Sequence, residues 1–250
     1  MKIGDVLIDW YRKNKRDLPW RKTSDPYLIW VSEIIFQQTR ISQGTQYYYR
    51  FTEHFPTIYT LANAQIDDVL KTWQGLGYYS RARNMHETAK EIVLNKNGIF
   101  PDTSKGLLKL KGVGSYTAAA IASISFDEKI PVVDGNVIRL ITRLNGNNLP
   151  VSSNQLKKMV AETADKYMYN HLPGEFNQAM MEFGALQCIA GKPDCSICPI
   201  SKKCYAYIND IVEKLPVKSK TKAPKHRYFY YGIIICKNKI IVRKRVENDI

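Results

Sequence analysis

Leu107-Leu108-Lys109-Leu110-Lys111-Gly112-Val113-Gly114-Ser115-Tyr116-Thr117-Ala118-Ala119-Ala120, followed by Ile130-Pro131-Val132-Val133-Asp134-Gly135-Asn136, is the stretch on which the reading of this chain turns. Its first part predicts two short helices joined by a Gly-Val-Gly hairpin. Gly112 and Gly114 permit a tight, partly left-handed turn that a Cβ would obstruct. They also bare the N–H groups that open the second helix. Such an end, with its free donors and positive dipole, is an anion site suited to a phosphate. The alanine-rich second helix can pack closely on its neighbours. Taken alone, a Gly-x-Gly also fits an ordinary helical corner. The second part adds a short apolar, β-branched approach, Ile130 to Val133, and then Asp134 opening a helix from Gly135 to Leu144. Aspartate is a good N-cap. A capping carboxylate is held rigidly, and the backbone donors favour its ionised form.

A hairpin followed roughly twenty residues later by such an aspartate resembles the helix-hairpin-helix-GPD superfamily of DNA glycosylases. Size and charge agree with that resemblance. A chain of 250 residues with 44% hydrophobic content can build one large or two modest domains. Lys and Arg number 37 against 23 Asp and Glu, leaving a net +14 that favours a polyanionic partner, most simply nucleic acid. Basic, aromatic and glycine residues interleave in Gly75-Leu76-Gly77-Tyr78-Tyr79-Ser80-Arg81-Ala82-Arg83. Met1 to Tyr11 carries Lys2, Asp5 and Asp9 and reads as an amphipathic helix, not a signal peptide. No apolar run reaches membrane-spanning length. The expectation is a cytoplasmic, nucleoid-associated monomer.

Four of the five cysteines, Cys188, Cys195, Cys198 and Cys204, form a Cys-x6-Cys-x2-Cys-x5-Cys run. In a reducing compartment such a cluster indicates metal, not disulfides. Zinc commonly takes two separated Cys-x2-Cys knuckles, and only one is present. One compact loop of four thiolates better suits a 4Fe–4S cluster, with Lys192, Lys202 and Lys203 offsetting its charge. The spacing matches the cluster loop of the endonuclease III and adenine-glycosylase families. Cys236 stands alone in an apolar stretch and reads as a buried small hydrophobe.

In chain order, a first helix ends near Lys13–Lys15, and Pro19 breaks any continuation of it. Trp20 and Arg21 could stack on and hydrogen-bond a base, or Trp20 could plug a core edge. Asp25-Pro26 is a strong helix start, predicting a helix to about Arg40 with Leu28, Val31 and Ile35 as its buried stripe. Glu33 lies mid-helix among Ile29, Ile34 and Phe36. A carboxyl in apolar surroundings holds its proton toward neutrality. Residues 41–100 and 137–187 read as further helices, with Tyr47, Tyr48, Tyr49, Phe51 and Phe55 as core. Met180, Met181 and Phe183 are core as well. Leu76 and Tyr78 suit an apolar wedge between base pairs, or simple loop packing. Residues 213–227 form a basic linker with Pro216 and Pro224. Tyr228 to Cys236 and Ile240 to Arg245 then read as two strands around a turn at Lys237-Asn238-Lys239. A hairpin alone is marginal, so the chain is expected to stop inside a second domain.

Ser32-Glu33-Ile34-Ile35-Phe36-Gln37-Gln38-Thr39 resembles the signature of MutY-type adenine DNA glycosylases. With the hairpin, Asp134 and the cysteine run, the resemblance covers about the first 210 residues. It implies an all-α, two-lobed helix-hairpin-helix glycosylase fold with an iron–sulfur loop. The catalytic domain would span 1–212, with one lobe at 22–130 and the iron–sulfur lobe at 1–21 and 131–212. Residues 228–250 would begin an incomplete Nudix-like domain. The implied reaction removes adenine opposite 8-oxoguanine or guanine from double-stranded DNA, with the adenine flipped out. By the same resemblance Glu33 protonates the base and Asp134 stabilises the sugar cation, the two carboxylate roles of glycosidic cleavage. Asn136 and Tyr116 would lie beside the abasic site, Trp20, Arg21 and Gln178 near the flipped base. Gln38, Thr39, Leu76 and Tyr78 would invade or line the duplex, while Lys111, Gly112, Val113 and Gly114 grip phosphate. Endonuclease III relatives carry a lysine where Tyr116 stands. A phenol cannot form a Schiff base, so the expectation is a monofunctional enzyme, and Ile138, a lysine in some relatives, points the same way. A bifunctional endonuclease III-like lyase and a non-catalytic DNA-binding module are the rival readings.

Overall fold

The computed structural model describes residues 2–219, 228, 230 and 232–242. They fall into two units, Met1–Ser219 and Lys220–Ile250. The first is helical among the described residues: α1 (Ile3–Asn14), α2 (Pro26–Ile35), α3 (Ile41–His54), α4 (Ile58–Asn63), α5 (Ile66–Trp73), α6 (Ser80–Lys96), α7 (Ser104–Leu107), α8 (Ser115–Ser125), α9 (Gly135–Asn145), α10 (Asn154–Met168), α11 (Pro173–Leu186) and α12 (Tyr205–Ile208). The punctuation is local chemistry. Asp25 accepts from the Tyr27 N–H at 2.8 Å, and Thr57, Thr103 and Ser153 cap α4, α7 and α10 in the same way.

Two hydrophobic cores result. One gathers Trp30, Phe51, Trp73, Leu107 and Ile121 from α2 through α8. The other joins Leu7 and Tyr11 of α1 to Val137, Leu156, Phe176 and Phe183. Helix α2 is shorter and more deeply enclosed than the sequence pattern suggested. It ends at Ile35, and Gln38 takes a left-handed conformation (φ 59°). Ile29, Trp30 and Ile34 are buried as fully as Val31 and Ile35, whereas Leu28 is only partly buried. A helix apolar on nearly every side belongs at the centre of a domain. Tyr48, Phe51 and Phe55 are core as expected, but Tyr49 is 55% exposed. The chain also stays on the helical unit beyond residue 212. Leu215 is buried and its carbonyl accepts from Arg143 Nε at 2.9 Å, while the Val151 N–H donates to the Val217 carbonyl.

Four helices pack in series, α2 on α8, α8 on α11, and α11 on α9. Buried Asn177 of α11 pins the extended approach to Asp134. Its Oδ1 accepts from the Val132 N–H, and its Nδ2 donates to the Ile130 carbonyl and to Ser123 Oγ. At Gly184 an added Cβ would sit 2.7 Å from Asn136 Cβ, so glycine sets the α11–α9 distance.

The second unit contributes β1 (Ile235–Cys236) and β2 (Lys239–Ile240), antiparallel, with Ile235 opposite Ile240 and Cys236 opposite Lys239. The turn is Lys237-Asn238, both at positive φ, as two-residue hairpins require. These strands are shorter than expected. Residues 220–227, 229, 231 and 243–250, and the side chain of Cys236, lie outside the described residues.

Asn177→Ala would leave the buried Val132 N–H and Ile130 carbonyl without partners, costing about 2–4 kcal/mol. Thermal melting should show a fall of several degrees in Tm. An unchanged Tm would remove Asn177 from this role.

Candidate active site

A cleft of about 240 Å³ lies where α2, α8, α9 and α11 meet. Glu33, Tyr116, Asp134, Asn136, Trp20, Arg21, Thr39 and Gln178 all line it. Residues up to 158 positions apart thus share one small space. Glu33 stands on the inner side of α2, hemmed by protein although its tip still meets the cleft. Burial pushes its pKa up to about 7, the nearby Asp134 charge pushes the same way, and a hydrogen bond with Tyr116 opposes them. The Tyr116 phenol is itself pushed well above its usual range, by burial first and then by Glu33 and Asp134. Its hydroxyl also meets Met181 Sδ at 3.5 Å.

Asp134 caps α9. Its Oδ1 accepts from the Val137 N–H at 2.7 Å and its Oδ2 from Asn136 Nδ2 at 2.8 Å. The sequence suggested that such donors keep it firmly ionised. In the structure burial outweighs them and its pKa is raised, although Val137, Asn136 and Arg139 all pull it down. Arg139 Nη2 donates to Asn136 Oδ1 at 2.9 Å, and its Nε donates to the Cys188 carbonyl at 2.7 Å. The cap and the start of the cysteine loop therefore share one guanidinium.

Trp20 lies over Phe36 (ring centroids 4.3 Å) and edge-on to Tyr48, so it is both core edge and cleft wall. Arg21 is turned inward. With Arg16 it grips Glu182, a carboxylate whose side chain is 1% exposed. Arg21 Nη1 and Nη2 donate to Glu182 at 2.8 and 2.7 Å, and Arg16 Nε at 2.9 Å. Burial would raise the Glu182 pKa, but these bonds prevail and hold it at about 2. Sequence reading missed Glu182, Arg16 and the role of Met181, which is a cleft residue and only partly buried. The signal was available: Gln178, Met181, Glu182 and Ala185 keep helical spacing and face the cleft together. Gln178 is held by the Tyr11 hydroxyl, 2.9 Å from its Oε1.

Other expected residues lie elsewhere. Gln38, Tyr78 and the Lys111–Gly114 hairpin do not line the cleft. Gly112 takes the left-handed turn (φ 79°), where a Cβ would press on Asn84. Gly114 does not; it is extended, caps α8 without a side-chain bond, and its Cβ position is open. Val113 is buried, so only its backbone could meet a phosphate, and Lys111 pairs with Glu87 at 2.6 Å on the surface. Leu76 is 8% exposed and packs in the first cluster, which is the loop-packing alternative. Tyr78, in contrast, is 64% exposed. Ile138 is buried in the second core.

The four cysteines of the 188–204 run line a single cavity with Arg143, Leu140 and Phe183. Arg143 Nη1 lies 3.5 Å from Cys188 Sγ. Burial raises the thiols of Cys195, Cys198 and Cys204, and the other cysteines add to this. Among the described residues no three Cys, His, Asp or Glu side chains converge closely enough for a single metal ion. No helix of the described residues is long and apolar enough to cross a membrane.

Residues 31–167 match the HhH-GPD superfamily of base excision DNA repair proteins, which sets the class as a DNA glycosylase of base excision repair. An adenine DNA glycosylase of Buchnera aphidicola (subsp. Acyrthosiphon pisum) is 37% identical across 99% of this chain and 71% of its own. One from Arabidopsis thaliana is 42% identical across 82% of this chain and 37% of its own. A thermostable thymine-DNA glycosylase of known structure superposes with a TM-score of 0.76 at 29% identity, over 82% of this chain and 95% of that one. The chain belongs to the adenine DNA glycosylase family.

Glu182→Gln should destabilise the protein at neutral pH by about 3 kcal/mol, because it leaves two guanidiniums without their counter-charge. The wild-type advantage depends on a depressed carboxyl pKa. It is full above about 4.5 and is lost as pH falls toward about 2. Denaturant unfolding of both proteins between pH 7 and pH 2.5 should therefore show the gap narrowing only below about pH 4.5. A constant gap would contradict the ion-pair account.

Proposed function

We propose that the cleft excises adenine from double-stranded DNA, opposite 8-oxoguanine or guanine, by hydrolysis without strand cleavage. The observation that carries this is a carboxyl with a pKa of about 7, Glu33, sharing a small cleft with the capped Asp134. A flipped adenine nucleotide enters between α2 and α9. Glu33 in its protonated form gives its proton to the base as the C1′–N9 bond breaks, and the electron pair leaves with adenine. The Asp134 carboxylate faces the positive charge left on the sugar. Asn136, tied to Asp134 and Arg139, fixes that carboxylate. Water supplies oxygen to C1′ and returns a proton to Glu33. Trp20, Arg21 and Gln178 wall the base, Thr39 borders it, and the N–H groups opening α8 take a phosphate on the same helix that carries Tyr116 into the cleft. Gln38 and Tyr78 serve as the duplex-facing tips. No lysine lines the cleft among the described residues, which supports a monofunctional enzyme.

We also propose that Cys188, Cys195, Cys198 and Cys204 hold a 4Fe–4S cluster. The four thiolates would hold it, and it would serve to crosslink residues 188–204. Arg143 and Arg139 then link that loop to α9. The chemistry of the donor set supports this reading, as does the shared cavity. Purified protein should be brown and carry about four irons per chain; stoichiometric zinc without iron would refute the assignment.

Adenine release should be measured on A:8-oxoguanine, A:G and thymine-glycol duplexes side by side, with activity on the first two only. Glu33→Gln and Asp134→Asn should each lower the single-turnover rate by at least about a thousandfold. Since the protonated Glu33 is the acid, the wild-type rate should fall as pH rises through about 7. A flat profile from about pH 6 to about pH 8.5 would remove Glu33 from that role. Borohydride should trap little or no protein on substrate DNA; efficient crosslinking would favour the lyase reading.

A further inference from the structure

Arg81 of α6 is partly buried between two loops and has no carboxylate partner among the described residues. Its Nη1 donates to the carbonyls of Ile34, Ile35 and Gln37 at 2.9, 3.1 and 2.6 Å. Its Nη2 makes longer bonds, 3.4 Å each, to the carbonyls of Leu76 and Gly77. The guanidinium also lies 5.2 Å from the Trp73 ring and 5.6 Å from the Tyr78 ring. Its Nε is buried without an acceptor. Ile34 and Ile35 end α2, where carbonyls are left over and a positive charge is favoured. A partly desolvated cation compensated by carbonyl dipoles, with no carboxylate, costs more to keep than an exposed one.

What it joins is specific. One loop leads from α2 to Gln38, the other from Trp73 to Tyr78. Both tips are non-glycine residues in the left-handed region, with φ 59° and 46°. Such conformations persist only where the surroundings over-determine them. Behind the exposed Tyr78 the loop is fixed by buried Leu76 and by the Trp73 indole, 3.1 Å from the Gly77 carbonyl. Between the two loops Arg81 is the bridge, and its acceptors on α2 directly succeed Glu33.

Building on the DNA-excision reading, we propose that Arg81 is a positioning residue that locks Gln38 and Tyr78 into a single rigid element that opens the duplex, in register with Glu33. The planar fork is what reaches acceptors on two loops at once; a lysine ammonium is a single point on a flexible stem. The contribution is felt when the stack must be opened, and not once the nucleotide lacks a base to extrude.

The test compares wild type with Arg81→Lys and Arg81→Gln, each also combined with Tyr78→Ala. Duplexes carry 2-aminopurine as the target base, whose emission reports unstacking, or a tetrahydrofuran abasic analogue. Arg81→Lys should lower unstacking and single-turnover adenine release by about tenfold to a hundredfold, as a displaced contact does. It should bind the abasic duplex within about threefold of wild type, and adding Tyr78→Ala should cost little more, since the two act as one unit. Equal loss on both duplexes, or additive losses with Tyr78→Ala, would overturn the proposal. If Arg81→Gln folds poorly, the lysine variant alone decides. Should wild type release no adenine at all, the excision reading falls, while unstacking and abasic binding still decide the role of Arg81.

Discussion

The partial burial of Glu33 is the constraint to which the rest of the site answers. A helical glutamate normally faces solvent and is ionised at neutral pH. Here α2 is enclosed on nearly all sides and the carboxyl reaches only the cleft wall, so its neutral form survives to about pH 7. Placing an uncharged acid there costs the fold less than placing a carboxylate would. That environment requires α8 against α2, which brings the Tyr116 phenol onto the acid, and α11 against α8, which closes the far wall. The raised acid is thus a consequence of helix packing.

The cleft wall is then organised by full pairing of its polar groups. Glu182 receives two arginines, Gln178 a tyrosine hydroxyl, Asn136 both Asp134 and Arg139. A polar group partnered on one side has its rotamer chosen before any ligand arrives, which lowers the ordering cost of binding. The same economy links distant parts of the chain. Arg139 connects the α9 cap to the first cysteine's carbonyl, and Asn177 holds the approach to Asp134 from α11. Glycine matters where helices nearly touch, as at Gly184 on Asn136.

Much was legible from local pattern. The helix starts at Asp25 and Asp134 come from capping chemistry, and the left-handed turn at Gly112 from glycine. Resemblance to a glycosylase signature, more than residue type, set Glu33, Tyr116 and Asp134 apart. The same patterns could not give the length of α2, the exposure of Tyr49, or the fate of Leu76, since an apolar side chain on a loop is equally suited to the interior and to a wedge. Nor could they show that Gly114 is extended while Gly112 is not.

By itself, then, the chain's order of residues determined a mostly helical class, a strongly basic composition, two candidate carboxylates, and four thiols within one loop. Those are properties of composition and of neighbours a few positions apart, where period and capping act. Only the tertiary structure decided that Glu33 is desolvated, that Arg21 and Arg16 converge on Glu182, that Asp134's burial outweighs its donors, and that Arg81 bridges two loops. Each depends on groups tens to more than a hundred and sixty positions apart. Burial and long-range pairing are set by which helix faces meet, and no local rule carries that information.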